Sequence, residues 1–243
     1  MNNYLPTDYQ TFIAKSRYAK YIDGEGREDW GDTVERYMDN VVRPKAGNDS
    51  YVNQLRDAIL NLEVMPSMRA MMTAGPALAR DNTAGYNCSY LPVDDPKAFD
   101  EAMFILLCGT GVGFSVERQF IQKLPEVPDL FESDTLVVVK DSKEGWAKAF
   151  RQVLALLWAG EIPKWDVSAV RPAGARLKTF GGRASGPAPL VELFNFAVTT
   201  FKAAQNRKLS SIECHDLMCF IGQIVVVGGV RRSAMISLSN LSD

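Results

Sequence analysis

The sequence predicts an α/β protein in which a helical N-terminal region, residues 1–82, precedes a region of alternating strands and helices, residues 83–243. Apolar residues recur at spacings of three and four through the first eighty positions, as one face of a helix requires. From Tyr86 onward the pattern changes to short apolar runs separated by glycine or proline turns. No internal repeat or low-complexity tract interrupts the alternation.

The helical stretches are DTVERYMDNVV (32–42) and SYVNQLRDAILNLEV (50–64), the second ended by Pro66 and Ser67. YNCSYLPV (86–93) then reads as a strand, DPKAFDEAMFILLC (95–108) as a helix with an Asp-Pro start, and GVGFSVE (111–117) as a second strand after a glycine turn. Together they make a β-α-β unit. The polar, proline-bearing PEVPDLFESD (125–134) reads as a connection. It leads to a strand at DTLVVVK (134–140), a helix at KEGWAKAFRQVLALLWAG (143–160) and a strand near KWDVSAV (164–170). A long loop, RPAGARLKTFGGRASGPAP (171–189), precedes helices at 190–205 and 211–226 and a last strand in VRRSAMISLS (230–239). The chain stops soon after that strand, and half a barrel ending there would leave an open edge and an uncovered apolar face. A missing partner segment is therefore expected.

Composition removes several classes. With 243 residues, 47% of them hydrophobic, the chain can bury a sizeable core without a metal or disulfide framework. Twenty-seven basic against 29 acidic residues leave a formal charge of -2, so no nucleic-acid surface is indicated. No apolar run approaches the roughly 20 residues of a membrane helix, and MNNYLPTDYQ lacks the features of a signal peptide, so a cytoplasmic protein with no membrane partner is expected. Four cysteines (Cys88, Cys108, Cys214, Cys219) form no CxxC, and the single histidine, His215, completes no zinc site by the usual spacings, so no metal site is expected. Each cysteine is then core filling or redox chemistry.

GTGVGF (109–114) superficially matches a phosphate-binding glycine loop, but the dinucleotide version runs strand, glycines, helix. Here the order is helix, glycines, strand, which favours a tight turn that still allows close backbone approach by a substrate. GGVRRSA (228–234) sets two guanidinium groups on a turn and ARLKTFGGRASGP makes a basic, glycine-rich loop, each readable as anion binding or as solvated surface. Cys108, Cys214 and Cys219 read as core filling and His215 as an ordinary helix residue. Cys88 differs, because the β-α-β crossover brings the Gly109–Gly113 turn alongside it.

Six segments in order carry a resemblance: SRYAKYIDGEGREDWGDTVERY, MPSMRAMMTAG, YNCSYLPV, CGTGVGFSVERQFI, VRPAGARLKTFGGRASGPAPL and GGVRRSAMISL. In this register they resemble the N-terminal part of class II, adenosylcobalamin-dependent ribonucleotide reductases, particularly the monomeric type. The resemblance implies a ten-stranded α/β barrel of which this chain supplies a helical region and the first half, a second polypeptide completing it. It implies that a cysteine thiyl radical takes the 3′-hydrogen of a ribonucleotide while two other cysteines supply electrons, Cys88 matching the first of that pair. Ser67, Asn87, Thr110 and Gly111 would lie against the substrate. Asp95, Pro96 and Lys97, with Arg176 and Lys178, would bind a deoxynucleoside triphosphate (or ATP) specificity effector, and Arg231 would lie in the loop relaying effector identity.

The departures are as informative. The asparagine-proline-cysteine-glycine-glutamate run that holds the family's radical cysteine does not occur, nor do the second reducing cysteine and the C-terminal cysteine pair. The resemblance thus implies a partner chain that supplies these, shares the adenosylcobalamin and relays electrons from a thioredoxin-like reductant. The N-terminus shows no resemblance to the extra domain that some reductases use for overall ATP/dATP control, so on/off regulation of that kind is not expected. A non-catalytic dNTP-binding module, or a piece cut from a longer chain, would share the same motifs.

Overall fold

Both stretches with helical spacing near the N-terminus form helices, and in a computed structural model they belong to the first of two compact units, Met1–Asn87 and Cys88–Asp243. The structure describes all residues except 1–3, 23, 48, 176–182 and 228–233.

The first unit opens with α1 (Asp8–Ile13), capped by the Thr7 hydroxyl and relaxing into a wider π turn over Ala14–Tyr18. A two-residue antiparallel hairpin follows, β1 (Tyr21–Ile22) against β2 (Gly26–Arg27), in a region that apolar spacing reads only as helical. Helix α2 (Trp30–Tyr37) starts at a reciprocal cap, the Asp29 carboxylate accepting from the Asp32 amide at 2.8 Å and Asp32 accepting from the Asp29 amide at 3.1 Å. It continues as a π turn, Met38–Val42, before α3 (Asp49–Leu60), α4 (Met68–Thr73), α5 (Pro76–Arg80) and a 3-10 turn at Asn82–Gly85. Val34, Met38, Ile59, Leu60 and Met71 form the core, and the buried Trp30 indole donates to the Leu60 carbonyl at 3.2 Å.

One polar knot ties this unit together. Arg36 donates to both oxygens of the buried Glu28 (2.7 and 2.8 Å) and to the carbonyls of Tyr18, Met71 and Ala74, while Lys20 also donates to Ala74. A buried guanidinium is tolerable only when its donors are met, and here they close three segments of chain at once.

The second unit follows the predicted alternation. Strand β3 (Cys88–Pro92) leads through α6 (Lys97–Leu107) to β4 (Gly111–Ser115), and the strands pair in parallel. After the short α7 (Arg118–Ile121), β5 (Phe131–Val138), α8 (Lys143–Trp158) and β6 (Glu161–Asp166) make a second parallel β-α-β unit. Helices α9 (Ala188–Ala203) and α10 (Ser211–Val227) precede β7 (Met235–Leu238), which returns to pair in parallel with β4, giving the order β3-β4-β7. One apolar core spans the unit, with Phe99, Met103, Phe114, Phe150, Leu154, Phe194, Phe201 and Ile221 essentially inaccessible. Phe194 stacks on Phe150 at 6.3 Å and meets the Trp165 ring edge-on at 5.4 Å.

Two strands differ from expectation. Strand β5 begins at Phe131, inside the segment read as a connection, and β6 spans 161–166 rather than 164–170. The pairing shifts between Glu132 and Leu136, so extra β5 residues bulge opposite Pro163, which has no amide to give a ladder. The bulge lets a proline-bearing segment remain a strand.

Candidate active site

Helix α6 ends in a glycine-dependent signal. Gly109 takes φ +83°, its amide donates to the Leu106 carbonyl at 2.8 Å, and the Thr110 amide reaches back to Ile105 at 3.2 Å. This is a Schellman closure, which leaves the chain pointing directly into β4. The glycines of GTGVGF therefore serve a helix-to-strand turn, and no helix N-terminus follows them to receive a phosphate.

The turn fixes the register. Cys88 stands opposite Gly111 and Tyr90 opposite Gly113, while Gly113 in turn faces Ile236 of β7. Side chains alternate across a strand, so Cys88 and Tyr90 share one face and Leu91, with its partner Phe114, points into the core. Cys88, Tyr90 and Ile236 are exposed on their face, and the glycines between them present bare backbone. A Cβ at Gly113 would lie 3.2 Å from the Ile236 methyl and 3.8 Å from the Tyr90 ring, so only glycine keeps this strip flat. The Ser89 hydroxyl, directed away from that face, donates to the Gly111 carbonyl at 2.9 Å and pins the strand start. The result is an exposed thiol beside a backbone strip that a sugar-sized group can approach closely.

The other expected substrate residues are placed as follows. Thr110 is buried between the turn and β4, and Gly111 is half-buried. Asn87, the last residue of the first unit, is exposed immediately before Cys88. Ser67, also in the first unit, caps α4, its hydroxyl accepting from the Ala70 amide at 3.4 Å.

At the start of α6 the Asp95 carboxylate accepts from the Lys97 amide at 2.8 Å, and Pro96 occupies the cap position. A first-turn amide is thus already satisfied by an acid. The cation offered to an anionic ligand here is the exposed side chain of Lys97. Arg176, Lys178 and Arg231 lie outside the described residues.

Among the remaining cysteines, Cys108 and Cys214 are buried as expected, and burial pushes the Cys214 thiol far up. Cys219 departs from the core-filling reading, for it is exposed on α10 beside His215. The helical turn that buries Cys214 rotates a residue five positions on to another face. Sequence reasoning also passed over Lys143, whose ammonium sits 3.0 Å from the Cys108 sulfur and 4.7 Å from the Phe104 ring centre. It places a cation against the C-terminal end of α6, where the helix dipole favours one.

The architecture is an α/β unit built on two parallel β-α-β units, with an exposed thiol on a strand beside a glycine strip. Residues 118–200 match the family model of the B12-dependent ribonucleotide reductase insertion domain. A crystal structure of a B12-dependent (class II) ribonucleotide reductase shares the fold with a TM-score of 0.82 at 21% identity, over 96% of this chain and 42% of that one.

The particular relatives are adenosylcobalamin-dependent ribonucleoside-triphosphate reductases. That of Lacticaseibacillus paracasei is 27% identical over 94% of this chain, and that of Lactobacillus leichmannii is 25% identical over the same share. The chain spans about 40% of the length of each. The resemblance to the N-terminal part of class II reductases therefore holds along almost the whole chain. The aligned span with the first relative, 307 residues, exceeds the 243 of this chain, so that relative holds additional residues within the matched region.

Proposed function

We propose that this chain supplies the N-terminal part of an adenosylcobalamin-dependent ribonucleotide reductase, acting in the cytoplasm with a C-terminal polypeptide that completes the barrel. The observation that carries the reading is the pairing of exposed Cys88 with Gly111 on parallel strands. A ribose lying along the glycine strip would come within reach of the thiol, and backbone groups at the turn would hold it. Asn87, Thr110, Gly111 and Ser67 are the substrate contacts in this reading.

The reaction balances with two thiols. A thiyl radical on the partner chain takes the 3′-hydrogen and later returns it. The 2′-hydroxyl leaves as water and hydrogen takes its place, while Cys88 and a partner-chain cysteine give up two electrons and join as a disulfide. A thioredoxin-like dithiol then restores both by exchange through the partner chain. Adenosylcobalamin, named for the relatives, generates radicals in the complete enzyme. The described residues single out no donor set for the corrin.

Asp95, Pro96 and Lys97, joined by Arg176 and Lys178, form the specificity-effector site in this reading. Lys97 would meet phosphate charge, and the Asp95 carboxylate would accept from a ribose hydroxyl. Arg231 would pass the identity of the bound dNTP to the substrate site, a coupling between two sites in the thermodynamic sense.

The test is to mix the chain with a polypeptide carrying the radical-cysteine motif and measure deoxyribonucleotide formation with and without adenosylcobalamin. Reduction that requires both chains and the cofactor is expected, with Cys88→Ser abolishing repeated turnover. Full turnover by Cys88→Ser would remove Cys88 from the reaction. Binding of dNTP with no reduction under any pairing would leave a nucleotide-binding module instead.

A further inference from the structure

The lysine that opens α8 stands against a buried thiol that the reductase reading does not use. Cys108 caps the end of α6 and is inaccessible, and Lys143 is the first residue of α8. The Lys143 ammonium donates toward the Cys108 sulfur at 3.0 Å. It also rests 4.7 Å from the centre of the Phe104 ring, one helical turn before Cys108. Helices α6 and α8 pack on each other and are tied again further along, where Arg151 donates to the buried Asp100 carboxylate at 2.8 Å. The Ser142 hydroxyl fixes the start of α8 by accepting from the Gly145 amide at 2.9 Å. Sulfur and nitrogen are thus held together by two anchored helices.

We propose that Cys108 and Lys143 form an oxidation site at which hydrogen peroxide joins the two side chains in a sulfenamide, a reversible sulfur–nitrogen bridge between α6 and α8. The reacting form is the thiolate beside its ammonium. Sulfur attacks one peroxide oxygen, the O–O bond breaks, and Lys143 gives a proton to the departing oxygen, which leaves as water. Sulfur has then lost two electrons and become a sulfenic acid, and Lys143 has become a neutral amine. A sulfenic acid condenses with a nitrogen held against it. The amine attacks sulfur, the S–N bond forms as the S–O bond breaks, and the hydroxyl leaves with one amine hydrogen as a second water. A dithiol reverses the bridge, returning one hydrogen to sulfur and one to nitrogen as it closes its own disulfide.

Burial makes the site selective for a small oxidant. Peroxide is scarcely larger than water, so local openings that admit water admit it as well and keep out bulkier reagents. The Lys143 side chain, 14% exposed, marks the solvent side of the pair. This chemistry needs neither substrate nor partner chain. The bridge forms one residue before Gly109, whose turn sets Gly111 opposite Cys88, so oxidation would hold that turn closed.

The reduced full chain is alkylated in its native state to block exposed Cys88 and Cys219, treated with hydrogen peroxide, and digested at neutral pH without reductant. Peptide mass should reveal one pair joined through Cys108 and Lys143, with the summed mass less two hydrogens, and dithiothreitol should separate it. Lys143→Arg, first checked for an unchanged circular-dichroism spectrum, keeps the cation and removes the amine. In that variant the joined pair should be lost and Cys108 recovered as sulfinic acid. Cys108 recovered unmodified or as sulfinic acid in the parent chain, or a joined pair that persists in Lys143→Arg, would show a cation capping α6 and no bridging site.

Discussion

Cys88 and Gly111 face each other across two parallel strands joined by α6. The pairing sets the only exposed cysteine of the described sheet beside a residue with no side chain, and it depends on the Gly109 closure that ends the helix at the right point. The thiol's accessibility is therefore a property of the turn as much as of the strand.

That relationship predicts a labelling order. In the native chain Cys88 and Cys219 should react with a small alkylating reagent, while Cys108 and Cys214, both inaccessible, should react only on unfolding. The thiolate is the reacting form, and burial holds the Cys214 thiol protonated. Mass mapping of modified peptides at increasing denaturant checks this; Cys214 labelling as early as Cys88 would contradict the packing.

Gly113→Ala should cost about 1 kcal/mol or more, because the new methyl would sit 3.2 Å from the Ile236 side chain. Ile236→Ala in the same chain should recover much of that loss. Denaturant unfolding of the two single variants and the double variant gives the coupling, and strict additivity would mean that Ile236 is not what restricts the site.

Arg36→Ala should destabilise the first unit by about 3–5 kcal/mol, since it removes the charge partner of the buried Glu28 and the guanidinium donors to the Tyr18, Met71 and Ala74 carbonyls, Ala74 keeping its bond from Lys20. Burial alone would raise the Glu28 carboxyl, but the Arg36 bonds, the Lys20 amide and Thr33 bring it below the usual range. A depressed carboxyl stabilises above its unfolded value, and this contribution is lost as pH falls through the folded one. Glu28→Gln should flatten that acid limb in a circular-dichroism pH titration.

Glu213→Gln should destabilise α10 by about 1–2 kcal/mol at neutral pH. Arg207 grips both Glu213 oxygens at 2.7 Å, and Ser210 donates its amide at 2.8 Å, holding the carboxyl down to about 2. Since the folded value is the lower one, the stabilisation is complete above the ordinary glutamate range and disappears as pH falls toward about 2. Thermal melts of both chains between pH 7 and 2 should converge at the acid end.

Much of this is legible in the sequence. Glycines after a helix and before a strand in GTGVGF announce a closing turn, and the β-α-β order places Cys88 beside it. Ser210 three residues before Glu213 is likewise a capping box written in the sequence, although apolar spacing alone does not draw attention to it. The first residues of β5 and β6 were hidden because Pro128 and Pro163 argue locally against strands, and only the bulge opposite Pro163 resolves the conflict. Cys219 was hidden because its neighbours Met218 and Phe220 are apolar, and composition around a residue does not reveal which way a helix turns it.

By itself the sequence determined the alternation of elements, the turn chemistry and the order of the motifs, because propensity, capping and glycine freedom act over a few residues. The tertiary structure alone decided which side chains share a face: that Cys88, Gly111, Gly113 and Ile236 line one strip, and that His215 and Cys219 meet at 3.5 Å. Strand register and helix rotation are set by the burial of whole faces against a common core, and that energy belongs to residues far apart in the chain.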